Sequence, residues 1–501
     1  MFQVKPLQRL LEDTERGEQR LKRTLGPVQL TALGIGAIIG AGIFSTVGTA
    51  AAGGSAHVGA GPALVVSFAL TAVACGFAAL CYAEFAAMVP VAGSAYTYAY
   101  ATLGELVAWI IGWDLIIEYA VGNVAVAISW SGYFQELLRG FGLDWPAWLG
   151  TDFRSAAQAA REVAAGADLQ SLGLAAQQAA RAMAEAPRIA GVPVIFDLPA
   201  FLVVMAITWV LVRGINESAW LNSTMVALKL AIIGFFLLVG AFYVKPEHWT
   251  PFAPNGWAGI KSAAAIIFFA YIGFDAVSTA AEETRNPQRD MPIGMIASLV
   301  ICTLVYIAVA LVLTGLLPYR QLDTAEPLAT AFSALGMNWT AGVISLGAVF
   351  ATTSVLVVFQ LGQPRIFFAM ARDGLLPPWA AKVHPRYRTP HVTTILTGVA
   401  VATFAAIANI NEVVELTNIG TLFAFVLVAI GVLVLRHTNP HQPRPFRTPW
   451  VPVVPLLAVA SCGYLMLQLP VVTWVRFGVW LAVGLVLYVV YGYRHSALRR
   501  A

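Results

Sequence analysis

The sequence predicts an all-α integral membrane protein with twelve transmembrane helices, on three observations. The 501 residues are 59% hydrophobic, with a mean hydropathy of +0.75. Charged residues make up 11%, where an ordinary soluble domain carries about 25%. The apolar residues fall in long continuous runs, which favours helices over the alternating strands of a barrel. So few charges cannot cover the surface of a soluble protein of this size. That excludes a soluble enzyme, a nucleic-acid-binding protein and a disordered chain.

The runs lie at 29–51, 61–88, 103–138, 197–213, 220–244, 259–281, 293–317, 339–371, 391–410, 413–436, 451–470 and 473–493. A span needs roughly 20 residues, and the runs longer than that imply tilt or helical extension beyond the bilayer. The expected organisation is an amino-terminal cytoplasmic segment 1–28, a first block of five spans over 29–244, and a second over 259–436. Two further helices over 451–493 and a cytoplasmic tail 494–501 complete it. The amino-terminal segment mixes Lys5, Arg9, Arg16, Arg20, Lys22 and Arg23 with four acids and reads as no signal peptide. With that segment inside, the inner connections hold 19 Lys and Arg and the outer ones 7, of which 5 lie in the connection 139–196. The bias places both termini in the cytoplasm.

Connection 139–196 is an extracytoplasmic insertion rich in Ala and Gln, composition that favours one or two helices outside the bilayer. Its apolar residues are mostly Ala, which argues against a deeply buried helix. The four cysteines lie in apolar runs, and the histidines keep no metal-ligand spacing. No ATP-binding loop or hydrolase motif is present.

Several residues stand out inside the runs. The first contains GIGAIIGAGIF, Gly34 to Phe44, with glycines at 34, 36, 40 and 42. Such a stretch serves either close helix packing or an unwound segment at Gly40-Ala41-Gly42 whose free N–H groups hold a carboxylate. The sixth contains FFAYIGFDAVST, with Gly273 and an intramembrane Asp275. Phe268, Phe269 and Tyr271 could shield a ligand there or face lipid. The third carries Asp114 and Glu118 four residues apart on one helix face. Glu118, about half-way across, must face a cavity, a partner or water, because lipid exposure costs about 2.5 kcal/mol or more. It is a candidate to bind a substrate amine, carry a proton or pair with Lys229 of the fifth run. Lys229 could snorkel, release a proton when buried, take the place of a sodium ion, or form a structural salt bridge. The first and sixth runs each open a block of five with a glycine-broken pattern, the arrangement that marks a mid-membrane transport site.

LKRTLGPVQLTALGIGAIIGAGIF (21–44) resembles the start of transporters of the amino acid–polyamine–organocation superfamily. CYAEFAAMVPVAGSAYTYAY (81–100), FFAYIGFDAVSTAAEETRNPQRDMPIGM (268–295) and GQPRIFFAMARDGLLP (362–377) resemble its cationic amino acid transporter branch. The blocks occur in the family's order along nearly the whole chain. The resemblance implies a five-plus-five inverted repeat of the leucine-transporter type followed by two extra helices. It implies that a substrate carboxylate meets the amides of Ile39, Gly40, Ala41 and Gly42. The amine would meet carbonyls freed around Ala37, Ile38, Phe268 and Phe269, with Ala270 and Ile272 in the same stretch. Phe269 falls at the family's aromatic gate, Asp275 at an acidic position linked to coupling, and Glu118 at an acidic position facing the site. Lys229 matches the lysine that fills a sodium position, with Gly34 and either Thr352 or Thr353 expected beside it. The chain departs from the family in its long 139–196 connection, and from animal members in stopping after twelve spans rather than fourteen.

The resulting expectation is a secondary active transporter, not an enzyme. It carries cationic and/or small neutral L-amino acids by alternating access, with the first, second, sixth and seventh helices rocking. Transport is expected to be proton-coupled and sodium-independent, with the proton as coupling ion and no cofactor or metal. Partners are the amino acid and membrane lipid, with no nucleic acid; no small membrane subunit can be named from sequence. An obligate exchanger is the alternative, and a transporter-like receptor a weaker one.

Overall fold

The computed structural model describes residues 4–5, 25–54, 57–88, 94–166, 174–214, 219–387 and 389–500. Most of the predicted segment 1–28, and the middle of connection 139–196, lie outside the described residues. The molecule is a helical bundle. The membrane-crossing elements begin with a broken pair, α1 (Pro27–Ile38) and α2 (Val47–Ala52), joined through a π turn at Gly42–Thr46. Then come α3 (Leu64–Met88), a short α4 (Ser94–Thr102) and the long α5 (Glu105–Gly140). The 139–196 connection folds into α6 (Phe153–Ala164), α7 (Leu174–Glu185) and a two-residue hairpin, β1 (Arg188–Ile189) with β2 (Val192–Pro193). There follow α8 (Leu198–Arg213), α9 (Ala219–Ala241) and α10 (Gly256–Ile267), the last running into 3₁₀ turns over Phe268–Tyr271 and Asp275–Glu283. The chain continues with α11 (Pro287–Leu316), α12 (Pro327–Ala334), α13 (Asn338–Arg372), α14 (His391–Ile407) and α15 (Ile410–Thr438). It closes with α16 (Val453–Met466) and α17 (Val471–Leu487).

Among the described residues, eight helical segments are long and apolar enough to cross a membrane, nine with the bent pair α1–α2 counted as one span. Three of the predicted spans, α8, α14 and α16, are shorter apolar helices of 16, 17 and 14 residues. Local signals set their ends, and α8 matches its predicted run to within one residue. Asp197 caps α8 by accepting from the amide of Ala200, and Gly214 closes it at φ +90°. Hydropathy had credited flanking residues such as Leu467 and Leu469 to the helix, but they form a turn.

Burial orders the bundle. Within their most apolar windows, α5 and the Gly256–Ser278 segment are 83% buried, whereas the segment containing α17 is 22% buried. The first two are therefore central and α17 peripheral. The peripheral helices turn apolar side chains outward at helical spacing: Leu202 and Trp209 on α8, Leu396 and Phe404 on α14, Val475, Val479 and Val486 on α17. That is the pattern of a lipid-facing surface.

The two ends of the bundle differ. At one end, Glu84 of α3 accepts two 2.9 Å bonds from Arg436 and one of 2.8 Å from the amide of Thr448, with Arg444 at 3.3 Å. Asp373 there receives Lys5 at 3.2 Å and the Tyr96 hydroxyl at 2.7 Å. At the other end, α6 and α7 pack through Ala156, Ala182, Ala186 and Ile195. They are tied to the bundle by Arg154 to Glu412 at 2.6 Å and Asn409 to Ser155 at 2.8 Å. Alanine suffices because these two helices bury their small residues against each other.

Candidate functional site

The chain between α1 and α2 leaves helical geometry at Ile39, where ψ is 100°, and the two halves meet at a bend of 44°. Helix resumes with the amides of Ile43 and Phe44 both donating to Gly40 O at 3.2 Å. The amides of Gly40, Ala41 and Gly42 have no backbone acceptor among the described residues. Three unpaired N–H groups at the start of a helix form a preorganised anion cradle. The expected set was one residue wider; Ile39 is excluded because its amide donates to Ile35 O at 2.9 Å.

The second break faces the first. After Phe268–Tyr271 the backbone extends at Ile272, with ψ 132°, and turns at Gly273, with φ +120°. Gly273 has no room for a side chain: a Cβ there would lie 2.8 Å from the carbonyl of Ala37. Reciprocally, a Cβ on Gly42 would run into the backbone of Ala270. Each break thus presses a glycine against an alanine of the other. The glycine block therefore serves both of the uses weighed from sequence, unwinding at 39–41 and close packing at Gly34 and Gly42.

The hydroxyl of Tyr306, on α11, bridges the breaks, reaching Ile38 O and Ala270 O at 2.9 Å each. Of the carbonyls assigned to the substrate amine, Ile38 O is therefore already engaged, and Phe269 O receives the amide of Ile272 at 3.4 Å. Asn418 of α15 donates to Ala265 O and Ile266 O at 2.7 and 2.9 Å, and its buried Oδ1 has no partner among the described residues. Sequence reading missed both Tyr306 and Asn418; the available signal was a polar side chain inside an apolar run.

Lys229 is 1% exposed on α9 and does not snorkel. Its Nζ donates to Gly36 O at 2.7 Å and Ile39 O at 3.0 Å, the carbonyls flanking the α1 break. No carboxylate pairs with it among the described residues, which removes the expected options of a salt bridge and of pairing with Glu118. Of the expected neighbours, Gly34 lies two residues from the Gly36 carbonyl that Lys229 binds, and Thr353 makes no hydrogen bond to Lys229 among the described residues. Gly34 packs against Ser298 and Val277. Thr353 accepts a bond from Trp130 at 2.9 Å and donates to Val349 O at 2.6 Å, while Thr352 donates to Ala348 O at 2.7 Å. The α13 residue at the break is Val355, 3.0 Å from where a Cβ on Gly40 would sit.

Glu118 and Asp275 are 3% and 2% exposed and close enough to act on one another electrostatically, with the Thr421 hydroxyl in hydrogen-bond reach of Glu118. Asp275 accepts from the amide of Gly273 at 3.2 Å, and no basic side chain pairs with it among the described residues. Asp114 is fully buried against Gly420, and neither carboxylate oxygen has a hydrogen-bond partner among the described residues. Phe268 is buried with its ring edge-on to Phe425 at 5.6 Å, Phe269 is 5% exposed, and Tyr271 donates to Phe68 O at 3.0 Å. Tyr271 and Phe268 are therefore interior packing groups rather than lipid-facing ones.

Two facing helix breaks, an anion cradle and a buried ammonium describe a site inside a membrane bundle. The amino acid permease family profile matches residues 25–491. The chain belongs to the amino acid permease family. Within the amino acid–polyamine–organocation superfamily, it is 47% identical over 502 residues to the branched-chain amino acid permease BcaP of Bacillus subtilis (strain 168), covering all of this chain and 99% of that one. It is 44% identical over 501 residues to the methylthioribose transporter of the same organism, again at 100% and 99% coverage. It is 37% identical over 430 residues to the vacuolar cationic amino acid transporter 4 of Arabidopsis thaliana, covering 85% of this chain and 65% of that one. This permease is thus a multi-pass plasma-membrane protein of amino acid transport, resembling bacterial members along its full length.

Proposed function

We propose that this permease is a proton-coupled, sodium-independent symporter of L-amino acids working by alternating access. In this reading twelve helices form a five-plus-five inverted repeat with two additional helices, and both termini are cytoplasmic. The observation that carries it is Lys229. An ammonium group donates to two carbonyls beside the α1 break, where a monovalent cation would otherwise balance unpaired carbonyl dipoles. A group that can shed its charge in place couples the geometry of the break to a proton. The substrate carboxylate is assigned to the amides of Gly40, Ala41 and Gly42, and its amine to the opposing break near Phe268 and Phe269. Glu118 and Asp275 support the coupling step. The names of the relatives support substrates in both the neutral aliphatic and the cationic class.

The test is uptake into liposomes containing the purified protein, with an inward proton gradient and no sodium. The panel is alanine, leucine, lysine, arginine and methylthioribose. Gradient-driven accumulation into empty vesicles is the expected result. Uptake only into amino-acid-loaded vesicles would make it an obligate exchanger, with Lys229 a fixed substitute for sodium. Dependence on sodium would refute the coupling assignment.

A further inference from the structure

The end of the bundle carrying α6 and α7 holds a cavity of 520 Å³, separate from the helix breaks. Its walls come from α5, α6, the connection between α11 and α12, and the first turns of α15 and α17. The volume falls within the range of small-ligand pockets. Carboxylates outnumber guanidinium groups in the lining by seven to three. The three arginines are spent: Arg154 and Arg476 both sit on Glu412, at 2.6 and 3.1 Å, and Arg139 sits on Glu136. Three carboxylates serve the protein itself. Asp152 caps α6, Asp197 caps α8, and Glu415 accepts from Thr473 at 2.8 Å.

Glu326 is different. It lines the cavity, is 6% exposed, and has no side-chain hydrogen bond or ion pair among the described residues. Its carboxylate fills the space beside Gly132 of α5, 2.6 Å from where a Cβ would stand. Asp323, three residues earlier in the same connection, also lines the cavity, with no side-chain hydrogen bond or ion pair among the described residues. A carboxylate this buried lacks the compensation that such groups normally find in the fold.

We propose that this cavity is a vestibule site for an aliphatic ammonium group, as on a basic amino acid side chain or a diamine, with Glu326 as its counter-ion and Asp323 as the second carboxylate. Its place on the route to the helix breaks rests on the transport reading; the binding chemistry does not. The experiment is equilibrium binding of labelled 1,4-diaminobutane to the purified full chain in lipid nanodiscs. This probe has no carboxylate for the amides at 40–42, and the cavity variants separate binding there from binding at Glu118 and Asp275. Saturable binding is expected, weakened at least tenfold by Glu326→Gln. Gln158→Trp should weaken it comparably, because it projects an indole into the cavity from an exposed position on α6 and does not depend on how the buried variant folds. Absence of saturable binding to the unsubstituted chain, or full binding by both variants, would overturn the proposal. A chain that binds the diamine yet accumulates no amino acid in liposomes would sink the transport reading alone.

Discussion

Replacing Tyr306 with Phe removes one oxygen and leaves the ring, so it isolates the bridge between the two breaks. The hydroxyl has a single proton but lies 2.9 Å from both Ile38 O and Ala270 O. It shares that proton between them or alternates. Both acceptors belong to buried residues, so they lose their shared donor in a buried setting. Leaving a buried acceptor unpaired costs about 1–3 kcal/mol. The ring packs on Phe68 and Tyr271, at centroid distances of 5.5 and 5.6 Å, and keeps those contacts, so no cavity term is added. If the occluded arrangement needs both breaks held together, the loss falls on that state and weakens apparent substrate affinity about 5- to 150-fold. The assay is uptake against substrate concentration in liposomes, alongside thermal unfolding of the same preparation. An unchanged KM with an unchanged unfolding midpoint would refute the argument that this hydroxyl couples the breaks.

The remaining predictions are these. Lys229→Ala should lower gradient-driven uptake more than equilibrium binding of substrate; equal losses in both, or none, would count against a coupling role. Gly273→Ala places a Cβ 2.8 Å from the Ala37 carbonyl at a φ of +120°, and should reduce stability by about 1–3 kcal/mol and abolish uptake; wild-type uptake would mean the breaks are not in contact during transport. Burial pushes Glu326 up to about 7 and Asp323 up to about 6. Carboxyl pKa values raised by folding contribute stability that is fully present below the unfolded values and lost as pH rises through the folded ones. Thermal unfolding midpoints should therefore fall between about pH 4.5 and 8, Glu326 accounting for at most about 3 kcal/mol. Glu326→Gln should flatten that slope, and an unaltered slope would show that the burial penalty lies elsewhere.

The helices were legible wherever apolar runs are long, because a bilayer-spanning helix must be apolar around its circumference and satisfy its own backbone. Span α8 was read to within one residue, whereas α14 and α16 were overestimated because hydropathy does not register a turn such as that at Leu467. The α1 break was legible because four glycines crowd eleven residues. Lys229 and Asp275 stood out because charge is rare in such runs. The side chains that complete the site were not. Tyr306 and Asn418 bind carbonyls that become available only once α1 and α10 unwind, so their role depends on contacts between distant segments. Helical phase decides which α13 side chains reach the break, and a linear run does not show it: Thr353, one of the two threonines expected there, turns toward Trp130, and Val355, two residues on, meets Gly40. The cavity at the α6–α7 end was invisible for the same reason, since Gly132 and Glu326 meet only through the packing of α5 against a remote connection.

The three short apolar helices have a consequence for the surrounding lipid. At 1.5 Å per residue, α8 and α14 reach only about 24–26 Å, against a hydrocarbon core of about 30 Å. These two helices pack on one another, so their shortfall falls on one side of the molecule. The opposite requirement comes from α13, whose 35 residues exceed the bilayer. The protein therefore presents a perimeter of uneven hydrophobic height, and the adjoining leaflets must thin beside α8 and α14. Because that deformation costs a fraction of a kcal/mol per ångström, acyl chain length becomes a variable that acts most strongly where the short helices α8, α14 and α16 meet lipid.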